Sequence, residues 1–299
     1  MKKFFALLLS MMLALTLCFG LTGCNDESDT ITVYTEAGFA PFEYVENGKI
    51  VGVDVDIMNM VGRKLGKRVV FENVAFDTIC DAVSKGELCD VGAAGLSVTE
   101  SRKKQVAFSN EYYTAELYVI YKTADATKYE SITTDGVTGV YWDSMKGDMI
   151  AVQTGTTADL FLGDEIAEGG SLYDTTSNKY DASSNKMNVR TGFSQLSQAL
   201  TDLEVNSDVL IIDELPAKML IEGKSQYKCA PLYYQGAEQD DPETTDEDES
   251  LDVAAIDVYA IAVAPNQSAR LLATINEVLA ELGEEGIQNL VNKHLGLTD

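Results

Sequence analysis

Apolar and polar positions alternate along Ile31-Thr-Val-Tyr-Thr35 with the period of a strand, and Gly38, Phe39, Pro41 and Phe42 then break the pattern into a loop. Asn47-Gly48, between Phe42–Val45 and Ile50–Val53, predicts a two-residue hairpin turn. Ile57, Met58, Val61 and Leu65 recur at helical spacing, with Asp56 as the expected cap and Gly66 as the stop. A strand at Val69–Asn73, a helix near Asp77–Lys85 and a strand at Val91–Ala94 continue the alternation. The same grammar returns later: strand Ile150–Gln153, turn Thr154–Thr157, helix Ala158–Leu162, helix Phe193–Leu203 and strand Val209–Ile212. Strand Val258–Val263 and two amphipathic helices, Ala269–Leu282 and Glu285–Leu295, close the chain. Strands alternating with helices predict an α/β architecture with mostly parallel sheets.

Three stretches do not read as core. Asp125–Asp148, Gly163–Lys186 and Gln235–Asp252 are rich in Gly, Ser, Thr and Asp and are expected to be loops. Nine acids and no base fall between Glu238 and Asp252, which suits a solvated segment. A calcium site there lacks the glycine and terminal Glu of an EF-hand spacing. No phosphate-binding glycine loop occurs, and no cofactor or metal is expected.

Composition narrows the chemistry. The 299 residues suggest about two domains, and 22 basic against 48 acidic residues give a formal charge of −26. Phosphate backbones demand the opposite sign, so nucleic acid is excluded as a partner. The single histidine, His294, removes Ser-His-Asp and Cys-His chemistry and most zinc sites unless they are built around it.

Lys2 and Lys3 precede an apolar run, Phe4 to Leu21, of the length of a secretory signal or a short membrane span. Leu21-Thr22-Gly23-Cys24 then resembles a bacterial lipobox, which predicts a signal over residues 1–23, an acylated Cys24 carrying palmitate-type chains, and a polar tether over 24–30. An ordinary signal peptide and an uncleaved anchor are the alternatives. Lipidation places the protein outside the cytoplasm, on the outer face of the membrane. Beyond Cys18 and Cys24, only Cys80, Cys89 and Cys229 remain, so at least one is unpaired; a Cys80–Cys89 bond and free buried thiols both stay open.

Candidate binding chemistry lies at strand ends, where α/β sheets place ligand turns. In Gly95-Leu-Ser97-Val-Thr99-Glu-Ser-Arg102, Thr99 is an expected N-cap, which puts Arg102 in the first turn with Lys103 and Lys104 beside it. Cations are disfavoured there, and an anion would resolve the conflict; a basic surface turn paired with acids is the plainer reading. Val209-Leu-Ile-Ile-Asp213 ends a buried strand on a carboxylate that either holds an ammonium group or caps the helix near Glu214-Leu-Pro216. Gln153-Thr-Gly-Thr-Thr157 offers amides and hydroxyls to an anion.

These residues, with Phe39-Ala-Pro-Phe-Glu-Tyr44, Gly52-Val-Asp-Val-Asp56, Phe108-Ser109, Tyr112-Tyr113 and Pro216-Ala217, resemble extracellular solute-binding protein family 3, the polar amino-acid receptors of ABC importers. The resemblance runs from about Ile31 to Leu295 and implies a type II periplasmic-binding fold: two α/β lobes joined by two crossing strands, with ligand between them. It implies a first lobe over residues 31–116 and 255–299 and a second, carrying loop insertions, over 117–254, with crossings near Leu117–Tyr121 and Ala254–Val258. It further implies that Arg102 holds a ligand α-carboxylate with Ser97 and the amides of Thr156 and Thr157. Asp213 and the Gly95 carbonyl would take the α-ammonium. Phe39 and Phe76 would pack on the side chain, and Glu36 and Gln153 would set selectivity. The expected protein is a monomeric, non-enzymatic receptor that delivers an amino acid to an importer permease. A dehydratase of the cyclohexadienyl type, with Glu36 as general acid, and a sensor module are the other readings of such a fold.

Overall fold

Strand Thr30–Thr35 buries Ile31, Val33 and Thr35 on one side, as its alternation requires. Its place is in a sheet ordered Arg68–Asn73, Thr30–Thr35, Val91–Gly92, Ala262–Val263, Ala107–Phe108. The structure is a computed structural model and describes residues 29–133, 135–167, 170, 172, 189–237, 251–265 and 269–297. The Cys24 lipobox and all but the end of the Glu238–Asp252 acidic stretch lie outside the described residues.

Beside the first sheet, Glu43–Glu46 and Lys49–Val51 form the expected hairpin, with Glu46 opposite Lys49. Asn47 and Gly48 both take positive φ, 50° and 76°, which the tight turn demands. The following helix begins at Val53, earlier than expected, so Asp56 is not its cap. Gly52, at φ 141°, turns the chain, and the segment just before the hairpin supplies carbonyls to the first amides: Val53 N donates to Pro41 O and Asp54 N to Phe42 O, each at 3.1 Å. The helix end therefore needs no side-chain cap. Asp56 instead accepts from Lys293 Nζ (2.6 Å) and lies 3.0 Å from His294 Nε2, tying this helix to the C-terminal one.

A larger sheet runs Val189–Phe193, Met149–Gln153, Val209–Asp213, Tyr113–Lys122, Tyr227–Ala237, Thr138–Tyr141, Glu130–Ile132, with Leu251–Ala254 and Ile256–Tyr259 added to its long strands. The strand–helix–strand units supply parallel ladders, Met149–Gln153 with Val189–Phe193 and with Val209–Asp213. Tyr113–Lys122 and its neighbours pair antiparallel, so both sheets are mixed. Tyr113–Lys122 joins the lobes: Tyr113 to Glu116 pair with Ile256–Tyr259, while Leu117 to Tyr121 already pair with Val209–Asp213 in the second sheet. The pairing partner of this strand changes between Glu116 and Leu117.

Other boundaries moved for packing reasons. Phe193 ends a strand opposite Gln153, and the helix starts at Leu196. Val258–Val263 is two strands, Ile256–Tyr259 and Ala262–Val263, one for each sheet. Asp125–Asp148 is not a loop: it holds Glu130–Ile132, Thr138–Tyr141 and a 3-10 turn at Trp142–Met145, and it buries Tyr129, Val140, Trp142 and Met145 in an apolar cluster with the larger sheet. Gly283, at φ 58°, divides the C-terminal helical run Ala269–His294 where two helices were expected. Cys80, Cys89 and Cys229 are free thiols. Among the described residues no helix is long and apolar enough to cross a membrane.

Candidate functional site

Strand Val91–Gly92 ends in a loop whose Gly95 has φ 53° and packs so closely on Phe39 that a Cβ there would lie 2.8 Å from the ring. Ser97 bridges to Tyr259. Thr99 is the N-cap expected for the short helix Glu100–Lys103, accepting from Arg102 N at 3.2 Å. Arg102 does not project to solvent as a basic surface turn would; it is 7% exposed and folds back into the molecule. Its Nη1 donates to Ser97 O (2.7 Å), its Nη2 to Gly155 O (2.9 Å), and its guanidinium carbon stands 5.3 Å from the centre of the Phe76 ring. Burial lowers its pKa from the usual guanidinium value, opposed by Cys80, Asp257 and Asp213 nearby.

The Gly155 carbonyl belongs to the turn Gln153–Thr157, so Arg102 locks this turn to the loop at 95–102. Gly155 takes φ 80°. Thr156 caps helix Thr157–Ile166: its hydroxyl accepts from Asp159 N and donates to Gln153 O at 2.8 Å. The Thr156 amide makes a long turn bond to Gln153 O (3.4 Å). Gln153, buried, donates from Nε2 to Ser194 O.

Asp213 ends a strand whose five residues are all buried. It occupies the N-cap position of helix Glu214–Leu220, yet its side chain makes no capping bond and its Oδ1 is buried without a partner. Of the two roles open to it, capping is therefore not the one its side chain performs. Burial pushes its carboxyl up, with Asp257 adding repulsion and Arg102 and the Tyr259 hydroxyl opposing.

Around this centre lies more buried acid than the sequence suggested. Glu36 is 4% exposed with Oε2 unpartnered; burial raises its pKa, and Gln153 and the Gly38 amide draw it back. Glu43 is fully buried with neither carboxylate oxygen hydrogen-bonded, and burial, Asp54, Glu36 and Asp213 together hold it well above the usual range. Asp54 accepts from Gly95 N at 3.0 Å and from the Tyr112 hydroxyl, and burial pushes it to about 6. Unpartnered buried carboxyl oxygens are costly, so these groups either stay protonated or meet a cation.

Asp257 was not anticipated. It is 6% exposed, and its Oδ2 accepts from Ser97 Oγ at 2.5 Å and from Thr157 Oγ1. The one trace in the sequence is that Val253-Ala-Ala-Ile-Asp-Val-Tyr-Ala-Ile-Ala-Val263 carries a single charged residue in an otherwise apolar strand pattern. Glu43 and Asp54 stood in motifs noted above without being assigned a role. The structure thus brings Arg102, Ser97, Thr157, Asp213 and Asp257 together, with Glu36 and Gln153 adjoining each other, Phe76 against the Arg102 guanidinium and Phe39 against Gly95. Among the described residues no cluster of His, Cys, Asp and Glu suited to a metal ion occurs.

Comparison with known proteins identifies the family. The family model for bacterial extracellular solute-binding proteins, family 3, matches residues 31–297. A putative ABC transporter arginine-binding protein of Escherichia coli K12 is 33% identical over 143 residues, 47% of this chain and 53% of that one. The arginine-binding extracellular protein ArtP of Bacillus subtilis 168 is 34% identical over 129 residues, 41% of this chain and 49% of that one. The chain spans about half the length of these curated relatives. An ancestral arginine-binding protein solved with arginine is 25% identical with a TM-score of 0.67, covering 90% of this chain and 99% of that one. Its likeness extends over both sheets and the strands between them, the two-lobed type II arrangement. With the family model spanning nearly everything beyond residue 30, the chain belongs to the bacterial extracellular solute-binding proteins, family 3.

Proposed function

We propose that the protein is an extracytoplasmic receptor that binds an amino acid with a cationic side chain between its lobes and delivers it to an ABC importer. One observation carries the charge preference: a guanidinium, Arg102, stands near buried Asp213 and Asp257, and buried Glu43 in turn near Asp213 and buried Glu36, three of these four acids having carboxyl oxygens without a partner. Arg102 takes the ligand carboxylate, Asp213 its α-ammonium, and Glu36 beside Gln153 the distal cation, with Phe39 and Phe76 packing on the methylenes between. The arginine-binding names of the relatives support the same class. Residues 31–116 and 255–299 form one lobe and 117–254 the other, and ligand favours their closed arrangement by touching both. An acylated Cys24 tethers the receptor, a monomer without cofactor, to the outer face of the cell membrane.

A thermal-shift screen of residues 26–299 against the common amino acids tests the reading. A ligand at about 100 times its Kd adds roughly 2.7 kcal/mol of stability. Arginine, lysine or histidine should raise the melting temperature and acidic amino acids should not; a response to glutamate alone refutes the charge assignment. The buried, raised carboxyl of Glu36 also suits a general acid, the group a dehydratase on this fold would need. Turnover of an arogenate-like substrate, lost in Glu36→Gln, would favour that enzyme over the receptor.

A further inference from the structure

We propose that Asp257 is a specificity-determining residue of the cleft: a carboxylate of the chain's own that takes the two hydroxyl protons a ligand carboxylate would otherwise receive. The inference rests on the receptor reading and deepens it. Ser97 and Thr157 each carry one hydroxyl proton, and both are directed at Asp257 Oδ2. Neither can be given at the same time to a second carboxylate. A ligand carboxylate at this end of the site is left with the Arg102 guanidinium and backbone amides, and it meets a like charge.

Asp257 has little freedom to withdraw. Its strand Ile256–Tyr259 is held against Tyr113 to Glu116, Val98 N donates to Val258 O at 2.9 Å, and Val258 N donates to Asp257 Oδ1 at 3.1 Å. The side chain is pinned at both oxygens and shielded from water, so its repulsion toward a carboxylate is weakly screened. The same charge attracts the cationic groups of a ligand, adding to Asp213. The cleft should therefore rank ligands by their positive groups and gain little from a carboxylate. Asp257→Asn, which keeps the volume and an acceptor oxygen while removing the charge, should restore that gain.

The probes are L-arginine and agmatine, the same molecule without its carboxylate, measured by calorimetry on residues 26–299. In the wild type the two affinities should lie within ~10-fold of each other. In Asp257→Asn, L-arginine should bind at least ~10-fold tighter while agmatine binds no tighter, so the ratio widens. A wild-type preference for L-arginine above ~10-fold, or an unchanged ratio in a folded variant, overturns the proposal. Asp257→Ser, which also removes the charge, serves if the asparagine variant does not fold, and the wild-type ratio needs no variant at all. Wild-type protein that binds neither probe nor any other amino acid overturns the receptor reading, and this inference with it.

Discussion

Replacing Asp213 with asparagine should move stability and affinity in opposite directions. The carboxyl ends a fully buried strand, its Oδ1 has no hydrogen-bond partner, and burial together with Asp257 raises its pKa. Between the unfolded carboxylate value near 3.8 and the raised folded value, the native state binds more protons than the unfolded chain, so stability falls as pH rises through that window. Removing the ionisable group abolishes the penalty. A buried unsatisfied polar group costs about 1–3 kcal/mol, more when charged, so Asp213→Asn should stabilise the unliganded protein by at least ~1 kcal/mol at pH 7. At about 2–4 °C per kcal/mol for a chain of this size, the melting temperature should rise by a few degrees. Near pH 4 most of the difference should be gone, because the native carboxyl is then protonated and the unfolded one, close to its own value of 3.8, about half so. The charge-assisted bond to a ligand ammonium contributes on the order of 1.5–3 kcal/mol, so the same substitution should weaken L-arginine binding ~10-fold or more. Thermal unfolding at pH 4 and 7 without ligand, and calorimetry with L-arginine at pH 7, read the two effects separately. A variant that is less stable and binds normally would show that Asp213 is a structural anchor and refute the reasoning.

Arg102→Ala should weaken L-arginine binding by at least ~100-fold, because the ligand carboxylate then loses its partner and meets the Asp257 charge unopposed, and Arg102→Lys should recover only part, because a point charge cannot span Ser97 O, Gly155 O and a ligand carboxylate as the fork does; equal calorimetric affinities for the two variants would contradict this. Asp54, ordinarily near 3.8 and held at about 6 by burial, should lower unliganded stability by about 2 kcal/mol as pH rises from 4 to 7, a slope that denaturant titration should find missing in Asp54→Asn. Gly155→Ala should hinder closure, since the residue has φ 80° and the added Cβ would stand 2.9 Å from Asp77 Cβ; small-angle scattering should show a smaller ligand-induced contraction than in the wild type. Cys24→Ala should release the protein from the membrane fraction or leave it as an uncleaved precursor, whereas mass spectrometry of an unmodified Cys24 in membrane-bound mature protein would end the lipid-anchor proposal.

What the sequence determined by itself was whatever neighbouring residues settle among themselves. Asn47-Gly48 needs positive φ and makes a hairpin wherever it is placed, Gly66 stops its helix, and Thr99 reaches an amide three residues on. The order of strands and helices, and with it the α/β class, follows from periods of two and 3.6 that are local by nature. Arg102 stood out in the sequence as a candidate anion site because its conflict with a helix N-terminus is also local. The rest depends on partners far along the chain. Asp257 draws its meaning from Ser97, 160 residues away, and Thr157, 100 residues away. Asp56 looked like a cap because the carbonyls of Pro41 and Phe42, which satisfy the helix amides instead, arrive only through the hairpin's fold. Asp125–Asp148 looked like a loop because its buried Tyr129, Val140, Trp142 and Met145 are too widely spaced for either period; packing against the larger sheet makes them core. The buried acidity is likewise a tertiary property: Glu36, Glu43, Asp54 and Asp213 come from four separate segments, and only burial turns ordinary carboxylates into groups that either keep a proton or wait for a cation.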